Sequence, residues 1–319
     1  MNRTMAWRAV SCLLVFGFTG IAWAQQSDPA TVPPLIKQDD ALQVSDHVYV
    51  ILDDGVRFVP NVGIVVGERA TLIVDTGVGM RTGEIILEEA RKLSSNEQFF
   101  IVSTHYHSEH ELGAGAFPDS AQVIRSRTQQ RDIEESGAAH RARFSGMSPA
   151  LAELIEGSEF RAPDILFDDE YALDLGGVTV RMRMVGPAHT LGDTIFYVEG
   201  DRVLFAGDVV MNRFPGFRAV SFGLGAWRES LAKLDDLDVE VIVPSHGPLG
   251  DASLIGIYDE YFVRILSRTA ELKAQGRSAD ESAAILMSEL GPNYPDWRAE
   301  DRVFLGNAVR FAYDEVPAP

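Results

Sequence analysis

Cysteine is almost absent from this sequence: the single one, Cys12, lies within the first two dozen residues. With that segment set aside, no thiol, disulfide or thiolate metal ligand remains, and nucleophilic cysteine chemistry is excluded. Positive charge is scarce as well. Lys and Arg number 28 against 47 Asp and Glu, a formal net charge of −19 over 319 residues. So acidic a surface repels phosphate backbones, and no Lys/Arg run offers a local exception, so nucleic acid is not an expected partner. No Gly-x-Ser-x-Gly elbow occurs, which removes the serine hydrolases built on that turn. With 46% hydrophobic and 24% charged residues, the composition is otherwise that of a globular chain able to bury a sizeable core.

The first 24 residues have the design of an export signal. Arg3 and Arg8 form a basic start, Val10 to Ala22 is apolar apart from small and hydroxyl residues, and Ala22-Trp23-Ala24 offers the small-x-small pattern of a cleavage site. The apolar run is short for a membrane span. Residues 1–24 are therefore expected to be a signal peptide, removed to leave a periplasmic or secreted protein with no membrane anchor. Its two arginines leave with it, taking the net charge to −21. A thiol-free chain suits an oxidising compartment. N-terminal sequencing of the exported protein should begin at Gln25; a start at Met1 would overturn this reading.

Residues 25–45, with Pro29, Pro33 and Pro34, read as a linker. From residue 46 onward, short β-branched runs bounded by Gly, Asp or Asn predict strands at 48–52, 62–66, 71–74, 99–102 and 122–125, with helices over 81–93, 128–139 and 150–155. The second half repeats this texture, with strands at 170–173, 178–185, 194–198, 203–206 and 241–243 and a helix at 226–234. Residues 253–274 form a strongly amphipathic helical pattern. Two further helices, 278–290 and 300–313, are split by Gly291-Pro292. Two β-rich halves with outer helices predict two sheets packed together over residues 46–252, closed by a helical extension over 253–319.

The most informative stretch is Thr104-His105-Tyr106-His107-Ser108-Glu109-His110, directly after a predicted buried strand. Three histidines and a carboxylate this close do not make a core pattern, because burying them without a partner would cost several kcal/mol. A divalent cation is the natural partner, and neutral imidazole with carboxylate suits zinc. Three more pieces follow predicted strands: His189 in Gly-Pro-Ala-His-Thr, Asp208 in Phe-Ala-Gly-Asp, and His246 in Pro-Ser-His-Gly-Pro. Asp75, in Ile-Val-Asp-Thr-Gly, lies upstream in the same setting and reads as a group orienting a ligand imidazole.

In order, these residues resemble the five motifs of the metallo-β-lactamase superfamily: an early Asp, a His-x-His-x-Asp-His box, a His, a bridging Asp and a final His. The resemblance spans about Asp46 to Gly250. It implies an α+β fold, a four-layer αββα sandwich with a two-metal site at one edge. His105, His107 and His189 would hold the first ion, Glu109, His110 and His246 the second, and Asp208 would bridge them. Zinc is the expected metal at two ions per chain, with iron or manganese as alternatives. The chain departs from the family at Glu109, where the box normally has Asp. One extra methylene moves the carboxylate by about 1.5 Å, against a ligand tolerance of about 0.2 Å. Ligation after a small backbone shift is the expectation; the alternative is a proton shuttle beside a single metal.

The resemblance implies attack by metal-bound hydroxide on a small-molecule substrate, with Glu109 and Asp208 as the catalytic carboxylates. Asp208 stands where the best-known lactamase subclass carries cysteine, and the retained Asp looks more like the glyoxalase II-type hydrolases, which cleave thioesters. The expected function is thus an exported zinc hydrolase of a small ester, thioester, lactone or amide. A β-lactamase is the alternative, and a catalytically degraded metal-binding interaction module is a third reading. His47 and His140 fit no motif and read as surface or boundary residues. Glu111 reads as facing solvent or a helix N-terminus, and Tyr106, Asn212, Arg213 and Arg218 as solvated loop residues. Phe58 is either part of a flap over the site or of a plain hairpin turn.

Overall fold

The computed structural model describes residues 33–213, 222–295 and 303–317. The first sheet contains β1 (Ala41–Gln43), β2 (Val48–Ile51), β3 (Val62–Val66), β4 (Thr71–Val74), β5 (Phe99–Val102), β6 (Gln122–Ser126) and β7 (Ile165–Phe167), in that spatial order. The second contains β8 (Glu170–Asp174), β9 (Thr179–Met184), β10 (Thr194–Val198), β11 (Val203–Gly207) and β12 (Val241–Pro244), ordered β12-β11-β10-β9-β8. Pairing is antiparallel from β1 to β4 and parallel from β4 to β7. In the second sheet only β11 and β12 run parallel.

Side chains alternate across a strand, and here both faces are apolar, which makes these strands inner layers. In β4, Leu72 and Val74 pack between the sheets while Ile73 packs outward. In β11, Val203 and Phe205 point inward and Leu204 and Ala206 outward. The outward face of the first sheet is covered by α1 (Met80–Leu93) through Ile86, Leu87 and Ala90. Beyond it lie α2 (Ser108–Glu111), α3 (Arg127–Asp132), a π-helical turn (Ile133–Gly137), α4 (Ala138–Ser145) and α5 (Pro149–Ile155). The outward face of the second sheet is covered by α6 (Gly223–Ala232), α7 (Ser253–Ala274), α8 (Ala279–Leu290) and α9 (Val303–Glu315). The layers are thus helix, sheet, sheet, helix, the αββα sandwich with its C-terminal helices. No described helix is long and apolar enough to cross a membrane.

The helical extension is built into the sandwich. Along α7 the buried residues Leu254, Tyr258, Tyr261, Phe262, Ile265 and Leu272 recur at helical spacing. Ser278 and Glu281 form a capping box that starts α8. From α9, the Glu315 carboxylate accepts hydrogen bonds from the Leu224 and Gly225 N–H groups (2.8 and 2.7 Å), an anion at the start of α6. Trp227 of α6 is fully buried and donates to the Val209 carbonyl (2.8 Å), joining this layer to the loop after β11.

Three details differ from the sequence reading. Ala41–Gln43 lies in the stretch read as linker, yet pairs as an edge strand with β2; three residues are too few to show a period. The helix expected over 128–139 continues through a π turn to Ser145. Glu111 does not face solvent: it is buried against the Arg125 guanidinium (3.0 Å) and accepts from Gln129 (3.3 Å). The expected signal peptide and Arg218 lie outside the described residues. Because both members of the Glu111–Arg125 pair are buried, Arg125→Ala leaves a carboxylate without its cation. It should cost about 3–5 kcal/mol of stability, measured by denaturant unfolding.

Candidate metal centre

Parallel strands leave their C-terminal ends on one edge, and loops there can be short and polar. Asp75 follows β4 and the histidine box follows β5, its immediate parallel neighbour. Asp208 follows β11 and His246 follows β12, a second parallel pair. His189 lies in the loop entering β10, which is antiparallel to β11 and so starts at the same edge. Gly207 lets the two sheets close here: its φ is +58°, and a Cβ would stand 2.7 Å from Thr104. Thr194 also donates its N–H to the Thr104 carbonyl (2.8 Å), joining the two sheets beside His105.

The site residues converge. Donor atoms of His105, His107 and His189 lie within 4.8 Å of one another, as do those of Glu109, His110 and His246. A third group of the same tightness is His105, His110 and Asp208, which sets Asp208 between the two sets. His189 Nε2 and His107 Nδ1 face each other at 3.1 Å. Two imidazole nitrogens on a tetrahedral zinc, at about 2.05 Å each, stand about 3.3 Å apart, so this spacing fits a shared cation. His105 Nε2, His110 Nε2 and Asp208 Oδ1 are buried with no hydrogen-bond partner among the described residues. Uncompensated buried polar atoms are costly, and clustered lone pairs aimed together are what a divalent ion satisfies. The residues therefore fit the metal that the motif implies.

The other ring nitrogens are held in place. Asp75, at φ +64°, is one of few non-glycine residues with positive φ. Its carboxylate accepts from the Thr104 N–H (2.8 Å) and hydroxyl (3.1 Å), and pairs with His110 Nδ1 (2.9 Å). The Thr104 hydroxyl also lies 3.1 Å from His105 Nδ1. Both second contacts leave Nε2 free to face a cation. The His189 loop is tied by Asp193, which accepts from the Thr190 N–H and hydroxyl, both at 2.7 Å. The His246 loop is clamped by Asn61, donating to the Pro244 and Gly247 carbonyls (2.7 and 2.8 Å), and by Asp53, accepting from the Gly247 N–H (2.9 Å). Asn212 donates its N–H to the His246 carbonyl (3.2 Å), binding the Asp208 loop to the His246 loop.

Protonation follows burial. Desolvation, reinforced by His110 and His107, holds His105 well below the usual imidazole range. His107 is lowered by desolvation and by His189 and His140, and His189 is lowered to about 3 by desolvation and His110. These three are neutral, the form that binds metal. For His110, desolvation pushes downward, but the charge and hydrogen bond of Asp75 outweigh it and hold the ring at about 9. Desolvation raises Asp208 to about 7, against the pull of His110.

His140 and Tyr106 stand elsewhere than expected, while His47 and Arg213 stand as expected. His140 is no surface residue: it is 6% exposed, and its ring lies flat on His107 with centroids 4.2 Å apart. Phe58 lies in the loop joining the antiparallel strands β2 and β3 and packs edge-on against Phe144 of α4 (5.2 Å). Tyr106 sets its ring against His107 (4.9 Å). His47 is partly exposed and paired with Asp201 (2.9 Å), a boundary residue. Arg213 is exposed. Asn61 and Asp53 had no motif to mark them, since each acts on a loop distant in sequence, and Asp193, which acts on Thr190 three residues before it, belongs to no motif either. Asp75→Ala should weaken zinc binding about 10–100-fold, read by chelator competition.

The comparisons accord with this geometry. Residues 55–246 match the family model of the metallo-beta-lactamase superfamily. The linear primary-alkylsulfatase of a Pseudomonas species is 28% identical over 207 residues, covering 55% of this chain and 39% of that protein. The atrochrysone carboxyl ACP thioesterase of Emericella nidulans is 26% identical over 208 residues, 65% of this chain and 58% of that one. The chain thus spans about half the length of the curated relatives it matches. Among solved structures, a sec-alkylsulfatase from Pseudomonas sp. superposes with a TM-score of 0.65 at 17% identity, covering 86% of this chain and 50% of that one. A metallo-beta-lactamase from Pontibacter korlensis gives 0.57 at 21% identity, covering 70% and 98%. With the matched segment taking in Asp75, the histidine box, His189, Asp208 and His246, this chain belongs to the metallo-β-lactamase superfamily.

Proposed function

We propose that this protein is an exported metal-dependent hydrolase acting on a small ester, thioester, lactone or amide. The observation that carries this reading is the convergence of six neutralisable or anionic donors at one sheet edge around Asp208, in groups no wider than 4.8 Å. His105, His107 and His189 would hold one divalent ion, and Glu109, His110 and His246 the other, with Asp208 reaching both. Bound zinc supplies a Lewis acid for the substrate oxygen and lowers the pKa of water towards neutrality. The protein's own share is orientation and charge. Asp75 and Thr104 engage Nδ1 of His110 and His105, which would leave each Nε2 to face an ion. Glu109 would ligate the second ion; in the alternative, beside a single metal, its carboxylate would take up the proton that the attacking water gives away. Neutral His105, His107 and His189 present no competing proton to the first ion, whereas binding at His110 would displace the proton that Asp75 holds on that ring.

The thioesterase relative supports an acyl thioester as substrate, and the alkylsulfatase relatives add sulfate esters to those worth assaying. The lactamase alternative rests on the fold likeness, and fold alone does not choose a substrate. The test is hydrolysis by the zinc-loaded protein of a thioester, a nitrophenyl ester, a nitrophenyl sulfate and a chromogenic cephalosporin, each with a chelator control. Chelator-sensitive turnover of the thioester or ester, at about 10⁴ M⁻¹s⁻¹ or above, is the expected result. Preferential cephalosporin cleavage would make it a β-lactamase. Asp208→Ala should lose bound metal and at least about 10³-fold in kcat/KM, of the order seen when a charge-stabilising group is removed. Turnover unaffected by chelator and by Asp208→Ala would overturn the reading.

A further inference from the structure

His140 belongs to none of the motif positions, yet the chain places it against the centre of the histidine box. It is delivered by an irregularity in its own helix. The π turn at Ile133–Gly137 inserts extra residues before α4, and such insertions re-aim the face of the helix that follows. Gly137, His140 and Phe144 then share the inward face, all buried, while Ala138, Ala139, Ala142 and Arg143 face out.

His140 meets the box through both its ring face and its Nδ1. Its ring is stacked on His107 at an interplanar angle of 7°. Phe144, one turn on, stacks on His140 in turn (4.9 Å, 29°), and Phe58 closes the column edge-on. His140 Nδ1 accepts the Ser108 N–H (3.3 Å) and lies 2.9 Å from the Ser108 hydroxyl. Ser108 is the residue between His107 and Glu109, so this bond grips the backbone that carries both. Donor atoms of His107, Glu109 and His140 lie within 4.8 Å of one another. Glu109 is thus close to two pairs of imidazoles, His107 with His140 and His110 with His246. His105 and His110 are oriented through their second nitrogens by Thr104 and Asp75. For His107 the face of a second ring takes that part.

We infer that His140 is a positioning residue for the metal centre: it fixes the ring plane of His107 and the reach of Glu109, and Glu in place of the family's Asp is matched to it. This rests on the metal-binding reading above. A shorter side chain at 109 would draw its carboxylate back from His140. Loss of His140 would free the box backbone at Ser108 and let the His107 ring turn.

The test uses the full chain with zinc or cobalt(II), in wild type, His140→Ala, His140→Phe, Glu109→Asp and the double variant Glu109→Asp/His140→Ala. The readouts are zinc affinity by chelator competition, the visible spectrum of the cobalt form, and thermal melting to establish that each variant folds. His140→Ala should lose about 10-fold or more in zinc affinity and shift the cobalt bands. His140→Phe keeps a flat ring without the Ser108 bond, and should fall between His140→Ala and wild type. The effects of Glu109→Asp and His140→Ala should be non-additive in the double variant, as for residues acting as a pair. A folded His140→Ala or His140→Phe with wild-type affinity and an unchanged cobalt spectrum would overturn the inference while leaving a metal-binding hydrolase standing. Simple additivity would overturn the matching of Glu109 to His140. A wild-type chain that binds neither metal would overturn the functional reading, and this inference with it.

Discussion

The Asp75 carboxylate is the group on which the candidate centre depends. It sits at the end of β4, 1% exposed, and reaches across to the neighbouring parallel strand's exit. There it holds the backbone and hydroxyl of Thr104 and the ring of His110 at once. The first contact fixes where the box leaves β5; the second fixes where the box turns back. His105 and His107 lie between those two points, so this single buried carboxylate anchors both ends of the segment that carries them. Its cost of desolvation is offset by three hydrogen bonds, one of them to a ring that carries a proton in the absence of a cation.

A cluster of buried imidazoles and carboxylates is unfavourable by itself, and the rest of the fold supports it. Two apolar sheets with helices on both outer faces supply a core on either side of the edge where the site lies. The loops that carry His189 and His246 gain rigidity from Asp193, Asn61 and Asp53. The helical extension contributes in the same way, since Trp227 is hydrogen-bonded to Val209, next to Asp208, and its ring lies 5.9 Å from that of His189. The outer layer is therefore coupled to the centre through this hydrogen bond and ring contact.

Within the family, the same fold serves different chemistries, and the curated relatives of this chain include a sulfatase and a thioesterase. In this chain Glu109 and His140 stand together at the centre. The box lengthens one side chain by a methylene, and a helix interrupted by a π turn brings a fourth imidazole beside it. The substitution is then one half of a local rearrangement of the centre.

How much was legible beforehand depended on whether the signal was local. The sequence by itself determined the β-branched strands between Gly, Asp and Asn, the long amphipathic helix at 253–274 and the His105–His110 box, because each signal acts over a few residues; Asp75, His189, Asp208 and His246 joined the box only through the order of motifs that the family shares. Its edge strand at 41–43 and the short β7 were illegible, since three residues carry no period. Only the tertiary structure decided that Glu111 pairs with Arg125, that Asn61 and Asp53 clamp a loop nearly two hundred positions away, and that His140 lies on His107. Each of these is a contact between distant segments, set by which strand ends the two sheets bring to one edge, and no short stretch of sequence encodes it.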